Sequence, residues 1–331
     1  IQKALDDGID TIGKKMTVCQ LYAKQIRHRG NVRYNTKNGR KRLMKLLEED
    51  KLGGCPIDSV KLSDAKEWAI RMKEKGISYK TISNDKRSLK AAFYTAIQDD
   101  CIRKNPFDFQ LNTVIEDDTE PKVPLTPAQE ESFLSFAQND KVYQKYYDEL
   151  IILLGTGLRI SELCGLTDTD INFENRIINV DHQLLRSAET GYYIETPKTK
   201  SGMRQIPMSE KVYEAFNRVL KRRRGAKAVT IDGYSNFLFL NRDGYPKTAT
   251  NYDGMFRGLA KKYNKYHEEA LPKVMTPHTL RHTFCTNMAN AGMNPKALQY
   301  IMGHSNITMT LNYYAHATFD SAKAEMLRIA A

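Results

Sequence analysis

TPHTLRHTFCTNMANAGMNPKALQYIMGHSNITMTLNYYAH, residues 276–316, decides how the rest of the chain is read. Thr276 is a good N-cap and Pro277 a good first helical residue, so a helix is expected to begin here. His278 and Arg281, three apart, then fall on one face of its first turn. Free amides and the helix dipole make such a turn attractive to an anion. Asn294 and Pro295 start a second, shorter helix that stops at Gly303. His304 follows that stop, where it is expected to reach out of the fold. SNITMTLNYYAH should form a short helix carrying Tyr313 and Tyr314. These two are adjacent, so only one of them can face a given site. His282 is expected to point elsewhere on its helix and is read as structural.

Working outward, two more basic motifs stand apart. Arg159, in GTGLRISEL, follows two glycines at the head of a helix, after a buried one. Arginine is the residue for bidentate phosphate binding, and Glu162 one turn on can hold it in place. Lys200, in PKTKSG, lies between the strand signals YYIET and RQIPM, beside Ser201-Gly202, a hairpin-tip signal. Lys198, two residues away, is its rival. Taken singly, these residues are ordinary: a surface ion pair, a helix cap, an exposed lysine. Taken together, two arginines, two histidines and a lysine converging on one point suit a phosphate in transit. A tyrosine beside them would hold that phosphate covalently and give it back.

Composition agrees. The chain has 331 residues, with 51 Lys and Arg against 39 Asp and Glu and a net charge of +12. That balance favours a polyanionic partner, most simply nucleic acid. The five cysteines are dispersed, without CxxC or zinc spacing, so neither a disulfide framework nor a metal site is expected. A reducing, cytoplasmic setting fits, and no run approaches the length of a membrane span. A chain that starts at Ile1 is expected to lack its natural N-terminus.

The pattern along the chain suggests four parts. Residues 1–15 read as a short polar helix or linker. Residues 16–112 carry four amphipathic helical stretches, a small bundle. SDAKEWAIRMKEKG has Ser63 as expected N-cap and Gly76 as C-cap. The bundle's polar faces hold Arg40, Lys41, Lys80, Lys86, Arg87 and Lys90, with Lys37 and Arg42 nearby. Interleaved Ser, Thr and Asn suit phosphate and groove contacts. Residues 113–124, acidic and proline-containing, read as a linker. Residues 125–331 return to helix around short β signals at RIINV, YYIET and RQIPM. The fold class is therefore mainly α with a small antiparallel sheet.

The set Arg159, Lys200, His278, Arg281, His304 and Tyr313 resembles the tyrosine recombinases, the family of phage and transposon integrases. The likeness covers roughly the last two-thirds of the chain. The stretch from His278 to His316 is especially similar to integrases of conjugative transposons and integrative conjugative elements. The resemblance implies a helical core-binding domain, and a catalytic domain closing with it as a C-shaped clamp on double-stranded DNA. It implies a 3′-phosphotyrosine intermediate, with Lys200 protonating the leaving 5′ oxygen, and no metal, ATP or other cofactor. The family's spacing of nine residues from the histidine picks Tyr313, while YAH resembles the segment after the nucleophile in many relatives and would pick Tyr314. It further implies a tetramer at synapsis with exchange of a C-terminal helix, a missing N-terminal arm-binding domain and a possible accessory directionality factor. A bacterial, nucleoid-associated setting belongs to the same picture. A chromosome-dimer-resolving recombinase or a type IB topoisomerase-like enzyme shares the chemistry. A non-enzymatic DNA-binding protein would have lost some of the six polar positions, and here all are filled.

Overall fold

The computed structural model describes residues 15–30, 32–120, 123–197, 199–223, 229–314 and 326–327. The expected N-terminal segment, Lys198 and most of the expected C-terminal tail helix lie outside them. The chain divides into two compact units, residues 1–121 and 122–331.

The first unit is a helical bundle: α1 (Val18–His28), α2 (Tyr34–Glu48), α3 (Leu62–Glu74) and α4 (Tyr79–Gln98). Thr17 caps α1 in a reciprocal pair with Gln20. Helix α3 begins two residues earlier than expected. Its N-cap is Lys61, not Ser63, because the Asp64 carboxylate reaches back to the Lys61 N–H at 2.8 Å. The core is aromatic, with Trp68 edge-on to Phe107 at 5.7 Å and Phe93 tilted against it at 5.4 Å. Burying side chains of this size contributes roughly 1.5–3 kcal/mol each. Two ion pairs pin the bundle. Arg71 forks onto Asp50, and Arg42 onto Asp85. Asp50 and Asp85 are buried, so these arginines are counter-ions of the fold.

The second unit carries eight helices among its described residues, around an apolar core. They are α5 (Pro127–Asn139), α6 (Tyr147–Thr156), α7 (Ile160–Gly165), α8 (Glu210–Arg223), α9 (Ala249–Tyr266), α10 (Pro277–Asn290), α11 (Pro295–Met302) and α12 (Thr308–Leu311). Helix α6 is the central element, and α8 and α10 pack against it. Its apolar run DELIILL leaves Leu150, Ile152 and Leu153 without exposed surface. It ends at Gly157 in the left-handed region (φ 63°). A Cβ there would meet Phe284 Cδ1 at 2.5 Å and Met302 Sδ at 3.0 Å, so both backbone and space require glycine.

The β structure is two small antiparallel sheets rather than one. Strands β1 (Ile171–Asn172), β2 (Ile177–Val180) and β5 (Arg204–Pro207) form the order β1-β2-β5. Strands β3 (Gln183–Ser187) and β4 (Gly191–Glu195) pair as a hairpin, Leu184 opposite Ile194. This corrects the expectation for Lys200. β4 turns back on β3, and β5 pairs with β2, with Val180 opposite Arg204. Lys200 therefore sits in a crossover, on a single 3-10 turn from Lys200 to Gly202, and the hairpin tip is at 188–190. Among the described residues no helix is long and apolar enough to cross a membrane.

Candidate active site

The centre of the site is a carboxylate, and the basic residues are arranged around it. Glu162 is buried on α7. It accepts from the Arg159 backbone N–H at 2.8 Å and from Arg159 NH1 at 2.7 Å. Arg159 is the N-cap of α7, so Glu162 is its capping partner as well as its counter-ion. The second guanidinium nitrogen of Arg159 donates to the Gly303 carbonyl at 3.0 Å. That bond fastens the start of α7 to the end of α11. About a third of the Arg159 side chain stays exposed, enough to meet a ligand.

Arg281 comes from α10 and is buried. It donates to the carbonyls of Gly157 and Met302. Thr276 and Pro277 start α10 as expected, and Thr279 Oγ1 receives the Thr276 N–H at 3.1 Å. Burial pushes the Arg281 guanidinium down to about 9, and Arg159 pushes the same way, against Glu162. It remains a cation at neutral pH, held among other cations. His278, at the second position of α10, is exposed, so the pair presents one buried and one surface group.

Sequence reasoning passed over Arg204. Its side chain is wholly buried, and it grips Glu162 with NH1 at 3.0 Å and NH2 at 2.8 Å. The signal was present: in RQIPM, Arg204 shares the inward face of β5 with Ile206. An inward arginine needs a buried acid. Burial alone would raise the Glu162 carboxyl, but the Arg204 hydrogen bonds, with Arg159 and Arg281 beyond, hold it at about 2. One carboxylate faces three guanidiniums, an excess of positive charge that suits an anion.

His304 does not reach out of the fold. It is buried behind the Gly303 stop, with Nδ1 3.0 Å from Thr310 Oγ1 and its backbone N–H bonded to Gln299. Helix α12 packs over it through Thr310, a cover that local spacing does not reveal. Burial, then Arg281, Arg159 and Arg204, push its imidazole down to about 4. It is therefore neutral at pH 7, a hydrogen-bonding group and not a cation.

Tyr313 and Tyr314 follow α12 in a turn, with N–H bonds to Thr310 and Leu311. Both are half-buried against Phe284, Cys285 and Leu298. Their hydroxyls differ. Tyr314 donates to the Met293 carbonyl at 2.5 Å. Burial and Cys285 push the Tyr313 phenol above its ordinary range, and Arg281 pulls it back. His282, expected to point elsewhere on its helix, lies edge-on to the Tyr313 ring at 4.8 Å. The turn after α12 folds the chain back over α10, and helical spacing within α10 could not reveal that.

Lys200 is exposed on its 3-10 turn. That turn abuts the site: a Cβ on Gly303 would lie 3.0 Å from the Ser201 carbonyl and 3.1 Å from Arg204 NH1.

In the first unit the basic residues part into two groups. Lys80 and Arg87 are exposed with Asn84 at i, i+4 and i+7 on α4, and Lys41 is exposed on α2. Lys86 donates to the Phe109 carbonyl and lies 4.4 Å over its ring, while Lys90 pairs with Asp108 at 2.5 Å. Arg40 is half-buried, 3.4 Å from the Arg29 carbonyl.

Comparison with known proteins yields a consistent set. The Phage integrase family matches residues 124–321. The transposase from transposon Tn916 of Enterococcus faecalis is 68% identical over 329 residues, 99% of this chain and 81% of that protein. The solved Tn1549 transposon integrase, bound to a circular intermediate DNA and carrying one arginine-to-lysine substitution, shares 78% identity with a TM-score of 0.91. It covers 95% of this chain and 99% of that one. Its complex with transposon right end DNA, carrying a tyrosine-to-phenylalanine substitution, matches with a TM-score of 0.90 and 78% identity over 96% and 100%.

Proposed function

This chain belongs to the phage integrase family of tyrosine recombinases, and on that footing we propose how its residues cut and rejoin the DNA of a conjugative transposon. It is a site-specific recombinase. The Tyr313 phenol attacks a backbone phosphorus. The bond from phosphorus to the 5′ oxygen breaks, leaving a 3′-phosphotyrosine and a 5′ hydroxyl. The phenol proton passes to His278 or, once phosphate has offset the arginines, to His304. Lys200 supplies the proton taken by the 5′ oxygen. Arg159 and Arg281 stabilise the charge that builds on the non-bridging oxygens. Removing one such preorganised donor costs on the order of 10²–10³ in rate. The phosphotyrosine ester conserves the bond energy, so the 5′ hydroxyl of another strand can reverse the step without ATP.

The observation that carries the reading is the difference between the two tyrosines. Arg281 acts on the Tyr313 phenol, while the Tyr314 hydroxyl is engaged by the Met293 carbonyl. A second support comes from the Tn1549 integrase complexes. Their substituted arginine and tyrosine are separated by the same number of residues as Arg159 and Tyr313 here.

Residues 125–331 form the catalytic domain in this reading, and residues 16–112 a core DNA-binding domain. Lys80, Arg87 and Lys41 contact phosphates. Arg40, Lys86 and Lys90 shape that face and add to its charge. Recombination joins two sites, so the working assembly is a tetramer on DNA, with an accessory factor setting direction. The test is covalent trapping on suicide DNA. Tyr313→Phe should form no adduct while binding DNA like wild type, and Tyr314→Phe should still form one. Adducts with Tyr313→Phe and none with Tyr314→Phe would move the nucleophile to Tyr314.

A further inference from the structure

We infer that Arg204 is a positioning residue of the strand-transfer reaction, the strut that locks the turn carrying Lys200 to the arginine clamp. The inference rests on the reading above, in which Arg159 and Lys200 act on the same phosphate.

Arg204 joins four pieces of chain. NH1 and NH2 hold the two oxygens of Glu162 on α7. NH1 also donates to the Gly202 carbonyl at 3.1 Å, within the Lys200–Gly202 turn. Nε donates to the Ile301 carbonyl at 2.6 Å, in the last turn of α11. The guanidinium lies against Gly303, whose φ is 61°; a Cβ there would sit 3.2 Å from Arg204 Cζ. The Gly303 carbonyl in turn receives Arg159, and His304 is the next residue. One side chain thus sets the spacing between the proposed acid, the phosphate-binding arginine and the buried histidine.

A packed core does not in general need a buried ion pair. Replacing a buried ion pair by packed apolar groups is often neutral or stabilising. Among the described residues the other arginines that grip buried carboxylates, Arg42, Arg71, Arg159, Arg218 and Arg222, keep part of their side chains in solvent, whereas Arg204 keeps none. A guanidinium presents several donors in a rigid plane, and an ammonium on a flexible stem cannot meet Glu162, Gly202 and Ile301 at once. Arg204→Lys therefore retains the charge and loses the geometry. If Lys200 drifts from the leaving oxygen, the step that suffers is protonation of that oxygen. Misplacements of about 1 Å cost on the order of 100-fold in rate.

The experiment uses the full chain and suicide DNA with either a normal 5′ oxygen or a bridging sulfur at that position. Thiolate leaves without a proton. Arg204→Lys should slow adduct formation about 100-fold on normal DNA, with half-site binding unchanged. The sulfur substrate should recover most of that loss, and it should not rescue Arg159→Lys. Wild-type rates for Arg204→Lys, or equal slowing on both substrates, overturn the proposal. Weakened binding that accounts for the whole loss does so as well. Gly202→Ala is the second probe if Arg204→Lys does not fold. Its Cβ would sit 2.3 Å from Pro197 Cβ, so the turn must shift while Arg204 stays. It should show the same sulfur-dependent recovery, and equal slowing on both substrates counts against the role. A wild-type chain that forms no adduct on either substrate refutes the proposed function instead, whatever Arg204 does.

Discussion

Glu162→Gln removes one charge and almost no volume, so it isolates the electrostatics of the site. In the native chain the carboxylate accepts four hydrogen bonds, two from Arg159 and two from Arg204, at 2.7–3.0 Å. A glutamine keeps one acceptor and turns its amide toward donors. Three guanidiniums then share a buried space with no counter-ion. Removing one partner of a buried pair typically costs about 3–5 kcal/mol. For a domain of this size each kcal/mol lowers Tm by about 2–4 °C, so a fall of about 6–20 °C is expected. The same logic predicts that a bound phosphate compensates. Half-site DNA should raise the Tm of Glu162→Gln more than that of wild type, because it restores an anion among the arginines. The pH response follows. The folded carboxyl lies near 2, below its ordinary 4.5, so its stabilisation is complete above 4.5 and lost as pH falls toward 2. It is worth on the order of 3 kcal/mol, and Glu162→Gln should lack this part of acid sensitivity. Thermal unfolding with and without a DNA duplex, at several pH values, measures all of this. A variant that melts within 2 °C of wild type and gains no more from DNA would refute the reasoning.

Gly157→Ala should cost about 2–5 kcal/mol, combining left-handed backbone strain with overpacking against Phe284 and Met302. It should also slow cleavage more than it weakens binding, since the Gly157 carbonyl orients Arg281; calorimetry and adduct kinetics check the two parts. His304 should titrate near 4 in the free chain and higher once phosphate occupies the site, as followed by imidazole NMR signals. The sign is that of a base held neutral: its stabilisation, on the order of 3 kcal/mol at most, is present above about 6.5 and lost as pH falls toward 4. A free-state value at or above 6.5 contradicts the burial argument.

What the sequence by itself determined was local. Thr276-Pro277 and Asn294-Pro295 begin helices where expected, and Gly157 and Gly303 end them. Capping and left-handed stops depend on a few neighbouring residues, so they are written in order along the chain. The mainly helical class with a little antiparallel β structure was legible for the same reason, though not its division into two sheets. Only tertiary structure decided what each basic group does. Arg204 meets Glu162 across 42 positions, and Arg159 meets Gly303 across 144. Neither partner is marked by any local spacing. His304 looked exposed because the stop before it is visible in sequence and the cover over it is not. The contact of His282 with Tyr313 was not legible because the turn after α12, which brings the two together, is set by packing. Lys200 looked like a hairpin tip because two strand signals flank it, yet strand partners are chosen by which faces can be buried together, and β5 chose β2. Hydrogen-bond partners and burial depend on the whole fold, so the residue types of the site could be read from sequence while their charge states and contacts could not.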